Sequence, residues 1–313
     1  MGYRRRGPRS DGALSIPFLG ADINRDFPQK RQGAKEAPAK AQTRQVKANP
    51  QCFSFLCAFA SLREPMLWNC TRNLIHSCLD ELLTVAGLTK TFAGKRVLSG
   101  VNFTVRSGQV CGLIGPNGAG KTTLFECLAG LLPADHASVK HGDEQLNSRR
   151  RKEVLFYMPD AIVPWAEQRV DWVLNFFRKA YAQSHDKVRA LSTPLRLDEI
   201  RKSQLGTLSK GERKRLMLGL GLLTPHPLLL LDEPFDGLDL RQTRDVMTLL
   251  KSEAAGGRAL LLSIHQLVDA GRVCDRLVLL NHGETVAEGT IDELRARAGL
   301  AEGGIEEIFL ALT

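Results

Sequence analysis

The chain contains 313 residues, of which 43% are hydrophobic and 25% charged, and its formal net charge is +9 at pH 7. This balance is ordinary for a soluble globular protein, and the absence of any run of about 18 apolar residues argues against a membrane-spanning helix. The excess positive charge belongs to one end, because residues 1–50 hold 11 basic and 4 acidic side chains, a net of +7, and residues 51–313 carry only +2.

The first 80 residues are rich in Arg, Lys, Gln, Ala and Pro, and they cannot bury enough apolar surface to order themselves. We predict a disordered or even non-native basic extension at 1–80, with a targeting peptide and a nucleic-acid-binding tail as alternatives. Regular patterning begins abruptly at "LLTVAGLTKTF", so a translation start at Met66 or at Leu82 is a further hypothesis. The seven cysteines are irregularly spaced and indicate reduced thiols in a cytoplasmic protein.

Strands and helices alternate along the rest of the chain. Val101, Phe103 and Val105 alternate with polar residues as in a half-buried strand, and the apolar strand "QVCGLIG" precedes the helical pattern "KTTLFECLAGLL", whose leucines share one face. Helices are also predicted at 169–182 and 212–223. The runs "PLLLLDEP" and "RALLLSIH" are typical of strands buried on both faces of a sheet.

The C-terminal part continues this pattern. Residues 276–289 predict a hairpin around Asn281-His282-Gly283. Thr290 and Glu293 have the spacing of a capping box, which predicts a helix after them.

The stretch "GPNGAGKTT", Gly115 to Thr123, matches the phosphate-binding loop pattern G-x-x-x-x-G-K-[ST]. It lies between a predicted strand and a predicted helix, which is the context that the pattern requires. Its glycines let backbone N–H groups close around phosphate oxygens, and the helix N-terminus adds a favourable field. Lys121 is placed to reach the β- and γ-phosphates, and the Thr122 hydroxyl to ligate Mg²⁺. A glycine-rich turn without a ligand is the disfavoured alternative.

Two carboxylates and a histidine follow the apolar runs. Asp232 ends the "PLLLLDEP" strand, so it faces the crevice at the carboxyl edge of a parallel sheet and can bind Mg²⁺. Glu233 comes next and can polarise an attacking water. His265 ends the "RALLLSIH" strand and can donate a hydrogen bond to phosphate, although a lone histidine is more often structural.

The stretch "LSKGERKR", 208–215, opens an amphipathic helix. Ser209 and Gly211 at its N-terminus suit an anion. Simple helix capping is the better explanation when they are considered alone. The chain already has one loop for phosphates, however, so a second anion site requires another explanation.

The order of these motifs, together with "FDGLD" at 235–239, resembles the nucleotide-binding domain of ATP-binding cassette (ABC) transporters over about residues 83 to 313. The combination is most similar to bacterial exporter-type subunits, whose membrane-spanning part is a separate chain. The resemblance implies an α/β P-loop NTPase fold for 81–313. It consists of a mainly parallel core sheet with helices, an N-terminal antiparallel β-subdomain and a small α-helical subdomain at about 155–225.

The resemblance also implies a role for each motif. Glu233, His265 and Lys121 are the expected catalytic residues, and Thr122, Asp232 and Asp160 the expected metal ligands. Ser209, Gly211 and Glu212 correspond to the signature that contacts ATP on a partner subunit, and Asp239 to the D-loop that couples the two sites. The expected ATP-binding residues are Phe92, which replaces the usual tyrosine against adenine, and Gly115, Pro116, Asn117, Gly118, Ala119, Gly120, Lys121, Thr122 and Thr123.

The implied cofactors are ATP and Mg²⁺. The implied partners are a second ATPase subunit, arranged head to tail as a homodimer, and a separately encoded transmembrane permease; no nucleic acid is expected. The protein is then cytoplasmic and peripheral on the inner face of the cell membrane, and it powers transport, with export favoured. One alternative is a non-transport ABC-type ATPase that acts on nucleic acid or ribosomes, but such proteins tend to have two cassettes or a coiled-coil insertion. Another is a non-hydrolysing regulatory module, which the retained catalytic residues disfavour.

The sequence departs from the family pattern at the signature and after residue 158. Lys210 and Glu212 stand where glycine and glutamine are commonest, and Asp160 stands at the position of the Q-loop glutamine. Asp160 offers oxygen ligands to Mg²⁺ but adds a charge that repels the γ-phosphate. A simple Pro-Asp turn explains it equally well. Downstream, Trp165, Trp172, Phe176 and Phe177 are candidates for packing inside the helical subdomain, or in part for docking the permease.

Overall fold

The computed structural model describes residues 81–160, 162 and 165–313. The predicted basic extension at 1–80 lies outside the described residues. Within the described part of the chain, no helix is both long and apolar enough to cross a membrane.

The elements follow the predicted alternation. The strands are β1 Glu81–Phe92, β2 Lys95–Arg106, β3 Val110–Ile114, β4 His136–His141, β5 Glu144–Gln145, β6 Leu155–Met158, β7 Leu228–Asp232, β8 Ala259–Ser263, β9 Arg276–Asn281 and β10 Glu284–Gly289. The α-helices are α1 Lys121–Leu128, α2 Ser148–Val154, α3 Val170–Ala180, α4 His185–Ser192, α5 Leu197–Ile200, α6 Lys210–Leu223, α7 Leu240–Ala255, α8 Leu267–Val273, α9 Ile291–Arg297 and α10 Ile305–Leu312.

A six-stranded sheet forms the centre of the fold, in the order β10-β9-β3-β8-β7-β6. The five strands from β9 to β6 run parallel, and β10 folds back antiparallel on β9 as the predicted hairpin. In a parallel sheet the carboxyl ends of the strands share one edge. The P-loop after β3, Asp160 after β6, Glu233 after β7 and His265 after β8 therefore meet at one edge of the sheet.

The leucine run of β7 shows why this sheet needs apolar residues at consecutive positions. Leu228 and Leu230 pack into one core, with the antiparallel sheet and α1, whereas Leu229 and Leu231 pack into the other, with the helices around α6. Successive side chains of a strand point to opposite faces, so a strand covered on both sides must be apolar throughout. All five residues of β7 and of β8 are buried, as predicted.

The second sheet is antiparallel and has the order β2-β1-β4-β5. β1 and β2 come before the P-loop, but β4 and β5 follow α1, so the predicted N-terminal β-subdomain is completed by a later segment. The pairing of Val85 with Val139 joins the two parts. The two paired residues lie on either side of the P-loop in the sequence, and no local sequence pattern predicts that they pair.

Two boundaries differ from the prediction. Residues 155–158 form β6 and pair with β7, so they belong to the central sheet, and the helices of the helical region run from Val170 to Leu223. The helix after the P-loop ends at Leu128, and Leu131, predicted on its apolar face, is 52% exposed beyond its end. Gly130 has a positive φ, which favours glycine and stops the helix there.

Candidate functional site

The P-loop passes close to two neighbouring backbones. A Cβ atom at Gly115 would lie 2.2 Å from the carbonyl oxygen of Leu280 in β9, so any larger residue would collide with the sheet. Gly120 has φ +101°, and a Cβ there would lie 2.7 Å from the Leu98 side chain. These two glycines let the loop close tightly between β3 and α1, which is the shape that a phosphate cradle needs.

Lys121 and Thr122 open helix α1 and point back toward the loop and the sheet edge. The Lys121 ammonium donates to the carbonyls of Gly115, at 2.7 Å, and Pro116, at 3.2 Å. Burial lowers the pKa of Lys121, and the nearby Glu233 carboxyl opposes that effect. A buried ammonium held by neutral carbonyls can exchange them for a stronger anionic acceptor, so Lys121 is placed to bind phosphate.

The Asp232 carboxylate is fixed by three hydroxyl groups. Thr122 Oγ1 donates to Asp232 Oδ2 at 3.1 Å, Tyr157 Oη to the same oxygen at 3.3 Å, and Ser263 Oγ to Oδ1. Burial raises the pKa of Tyr157, so its phenol stays protonated and continues to donate. The network joins the P-loop helix, β6, β7 and β8 at one carboxylate.

Glu233 and His265 form the next pair along the same edge. His265 Nε2 lies 2.5 Å from Glu233 Oε1. Burial, reinforced by Asp232, raises the pKa of Glu233 to about 7, whereas burial and Lys121 lower the pKa of His265. Both shifts disfavour a fully charged pair, so the two groups are well placed to share or pass a proton near neutral pH.

Glu233 has a left-handed backbone, with φ +52°, which is unfavourable for a residue with a side chain. Its N–H donates to Ser263 Oγ at 3.0 Å. Ser263 is fully buried, and its hydroxyl donates to Asp232 while it accepts from Glu233. One serine of β8 therefore orients both acidic residues that follow β7.

Ser263→Ala is expected to lower the free energy of unfolding by about 1–3 kcal/mol, because it leaves the Glu233 N–H without its acceptor and removes a donor from a buried carboxylate. Urea denaturation followed by circular dichroism measures this, with the exposed Ser252→Ala in α7 as the matched control. Equal denaturation midpoints for the two variants would contradict the orienting role.

Asp160 lies in the same cleft as Thr122, Asp232, Glu233 and His265. Its Oδ1 is 2.6 Å from the Nζ atom of Lys214, which belongs to helix α6. The same ammonium donates to the main-chain oxygen of Asp232 at 3.3 Å. Asp160 is thus more than a turn residue in this structure, because it connects the cleft with helix α6, which begins within "LSKGE".

The "LSKGE" residues form a separate cleft with the loop after β7. Ser209 is the N-cap of α6 and Glu212 completes a reciprocal capping box with it, which lowers the pKa of Glu212. Gly211 lies inside the first turn of the helix, and a Cβ there would come 2.5 Å from the Gly237 carbonyl. Asp239, the N-cap of α7, lines the same cleft.

The signature cleft shares none of its lining residues with the cleft at the sheet edge. Lys210 forms an ion pair with Asp236 beside it, and this partner raises the pKa of the lysine. Lys210, which stands where the family pattern commonly has glycine, is therefore already paired with an acid of its own chain.

Comparison with known proteins agrees with this geometry. The ABC transporter family model matches residues 98–236. The ABC-type transporter ATP-binding protein EcsA of Bacillus subtilis (strain 168) is 30% identical over 238 residues, which cover 74% of this chain and 96% of EcsA. The Nod factor export ATP-binding protein I of Rhizobium sp. (strain N33) is 33% identical over 66% of this chain and 70% of its own.

The chain belongs to the ATP-binding subunits of ABC transporters. A solved structure described as the ATP binding subunit of an ABC transporter superposes with a TM-score of 0.67 at 30% identity, and the match covers 74% of this chain and 99% of that one. The chain is therefore an ATP-binding and ATP-hydrolysing subunit with the P-loop fold of ABC ATPases. The matches give no support to the alternative that it acts on nucleic acid or ribosomes.

Phe92 stands at the end of β1 in this ABC subunit and is 42% exposed. The ammonium of Lys90 lies 5.2 Å from the ring centroid, so one side of the ring faces a cation. An exposed ring at the tip of the β1–β2 hairpin is consistent with the predicted contact with adenine.

Four residues of the ABC site escaped sequence reasoning: Tyr157, Ser263, Lys214 and Asp236. Ser263 is the last residue of β8 and follows an apolar run. A hydroxyl at the carboxyl edge of a buried strand is a signal that could have identified it. Lys214 gave no such signal, because a lysine in "LSKGERKR" is expected on the solvated face of a helix.

Proposed function

We propose that the cleft at the sheet edge binds the phosphates of ATP through the P-loop and hydrolyses the γ-phosphate with Glu233 as the water-polarising residue. The observation that carries the proposal is that Thr122, Asp232, Glu233 and His265 converge there from three segments of the chain, with Lys121 directly before Thr122 in the P-loop. Each has the chemistry required: a cation and a hydroxyl for phosphate and metal, and carboxylates for metal and water.

The donors at Thr122 and Asp232 fit Mg²⁺. Their oxygens are hard ligands, and their direct hydrogen bond of 3.1 Å places them close enough to share one ion. Among the described residues, no group of three or more His, Cys, Asp or Glu side chains is arranged to hold a metal ion. An Mg²⁺ ion held by Thr122 and Asp232 would stabilise the negative charge of the phosphates.

The residues of the chain divide the remaining work. Glu233 accepts a proton from water as the water attacks the γ-phosphate in line, and its raised pKa suits a base that operates near neutral pH. His265 holds the Glu233 carboxyl and can donate to a γ-phosphate oxygen. Lys121 stabilises the charge that spreads over the phosphoryl oxygens.

The signature cleft supports a head-to-tail dimer. Ser209, Gly211 and Glu212 do not line the P-loop cleft of their own chain, so one protomer leaves the anion-binding end of α6 without a nucleotide. A second copy supplies that nucleotide if the two chains close around two ATP molecules. Asp239, in the signature cleft, is then placed to couple the two sites.

Mixing two inactive variants tests this arrangement. Ser209→Asp keeps a good N-cap but sets a negative charge against phosphate, and Ser209→Asn is the neutral capping control. We expect Lys121→Ala and Ser209→Asp to be inactive alone and to recover ATPase activity when co-expressed with different affinity tags and purified as the mixed pair. In the mixed dimer one site contains an intact P-loop and an intact signature. No recovery in purified mixed dimers would contradict the head-to-tail arrangement.

The helical region is the proposed docking surface for a separate permease, which would hold the subunit at the inner face of the cell membrane. Trp172 is 46% exposed in α3 and stacks on Phe176 with ring centroids 5.5 Å apart, while Phe177 packs inside. The export direction is proposed because a relative named above is a Nod factor export protein.

A further inference from the structure

The catalytic cleft has an acidic lining, although the proposed ligand is a polyphosphate. Asp160, Asp232, Glu233, Asp236 and Asp269 all line it. Like charges repel strongly where water is partly excluded, so a proton, a metal or a cation beside these carboxylates favours the binding of phosphate. Asp160 is the one of these acids that stands at the position of a neutral glutamine in the family pattern.

The cation beside Asp160 is Lys214, whose side chain is 3% exposed. Its ammonium lies 2.6 Å from Asp160 Oδ1 and donates to the Asp232 main-chain oxygen at 3.3 Å. The two residues are 54 positions apart, on the loop after β6 and on the second turn of α6. Burying an ammonium is costly unless such partners replace water, so Lys214 depends on Asp160 and on the Asp232 carbonyl.

We propose that Lys214 is a positioning residue for ATP: it neutralises Asp160 and holds its carboxyl at the cleft, so that the Asp160–Lys214 pair takes the place of the neutral Q-loop glutamine. The pair has no net charge, as glutamine has none, yet it presents a carboxyl oxygen where glutamine presents an amide oxygen. The proposal rests on the assignment of this cleft to the γ-phosphate.

The pair also connects the nucleotide to the signature helix. Lys214 lies five residues after Ser209 on α6, and α6 leads directly from the signature cleft into the core of the helical region. Any movement of Asp160 toward a bound metal would shift the Lys214 ammonium and hence α6. The charge balance and the mechanical link therefore depend on the same two atoms.

A double-mutant cycle with Lys214→Met and Asp160→Asn tests the charge balance. ATP and ADP affinities are measured by calorimetry in EDTA, without metal or turnover. We expect Lys214→Met to weaken ATP binding about tenfold and to weaken ADP binding less, because ADP lacks the γ-phosphate. The ATP affinity of this variant is expected to recover in high salt. Adding Asp160→Asn to Lys214→Met is expected to restore ATP affinity to within about twofold of wild type. Lys187→Met, which breaks the 2.6 Å pair with Glu253 far from the cleft, is the matched control.

The outcomes separate this proposal from the site assignment. If Lys121→Ala binds ATP as wild type does, the cleft is not the phosphate site and the proposed function fails. If Lys121→Ala loses ATP while Lys214→Met binds ATP and ADP in the wild-type ratio, the site stands and the pair is only a structural tie. If Lys214→Met does not fold, Lys214→Gln is measured instead, with the same expected loss and the same rescue by Asp160→Asn.

Discussion

Glu233→Gln is expected to bind ATP with near wild-type affinity and to hydrolyse it about 10²–10³-fold more slowly. Glutamine preserves the size of the side chain and a hydrogen bond to His265, but it cannot accept the proton of the attacking water. The carboxyl lies where a base must lie, between Asp232 and His265 at the sheet edge, and its raised pKa suits the task. Phosphate release under single-turnover conditions, together with nucleotide binding, measures the two effects separately.

Glu306→Gln is the control for this prediction, because it makes the same chemical change on an exposed position of α10. A Glu233→Gln protein that hydrolyses ATP near the wild-type rate would contradict the assignment of Glu233 as the base. The proposed dimer offers a further check: Glu233→Gln is expected to accumulate as a closed dimer when ATP is added, and light scattering would show this as a doubling of mass that depends on protein concentration.

Lys121→Ala is expected to weaken ATP binding by roughly tenfold to a hundredfold, because charge-assisted hydrogen bonds to phosphate each contribute about 1.5–3 kcal/mol. The ammonium is buried and at present donates to the Gly115 and Pro116 carbonyls, so its loss also leaves those two acceptors without a partner. Equilibrium binding of ATP by calorimetry measures the change.

Lys140→Met, on the exposed face of β4, removes the same charge away from the cleft and is the control. The loss of ATP affinity in Lys121→Ala is attributed to a lost direct contact with phosphate, so it should persist in high salt. A loss caused only by the lower net charge of the protein would become smaller, because salt screens long-range attraction. A full return of affinity in high salt would speak against direct contact.

The local motifs were predictable because their chemistry is carried by consecutive residues. The P-loop needs glycines at fixed places, and the structure gives the reason at Gly115, which passes against the β9 backbone, and at Gly120, with its positive φ. Asp232 and Glu233 follow a run of leucines that serves two cores, and a run of that kind predicts a buried parallel strand without any knowledge of its neighbours. The start of the helical subdomain and the end of α1 were less predictable.

The sequence by itself determined the family, the fold class and the identity of the acids, cation and hydroxyl that handle ATP, because each is specified within a short window of residues. The tertiary structure alone decided how they are held. Ser263 orients Asp232 and Glu233 from a neighbouring strand, and Lys214 reaches Asp160 across 54 residues. Such contacts depend on which strands pair and on which side of a helix is buried. No periodic sequence pattern around Ser263 or Lys214 predicts either. Asp160, an acid of uncertain use in the sequence, is in the folded chain half of an ion pair.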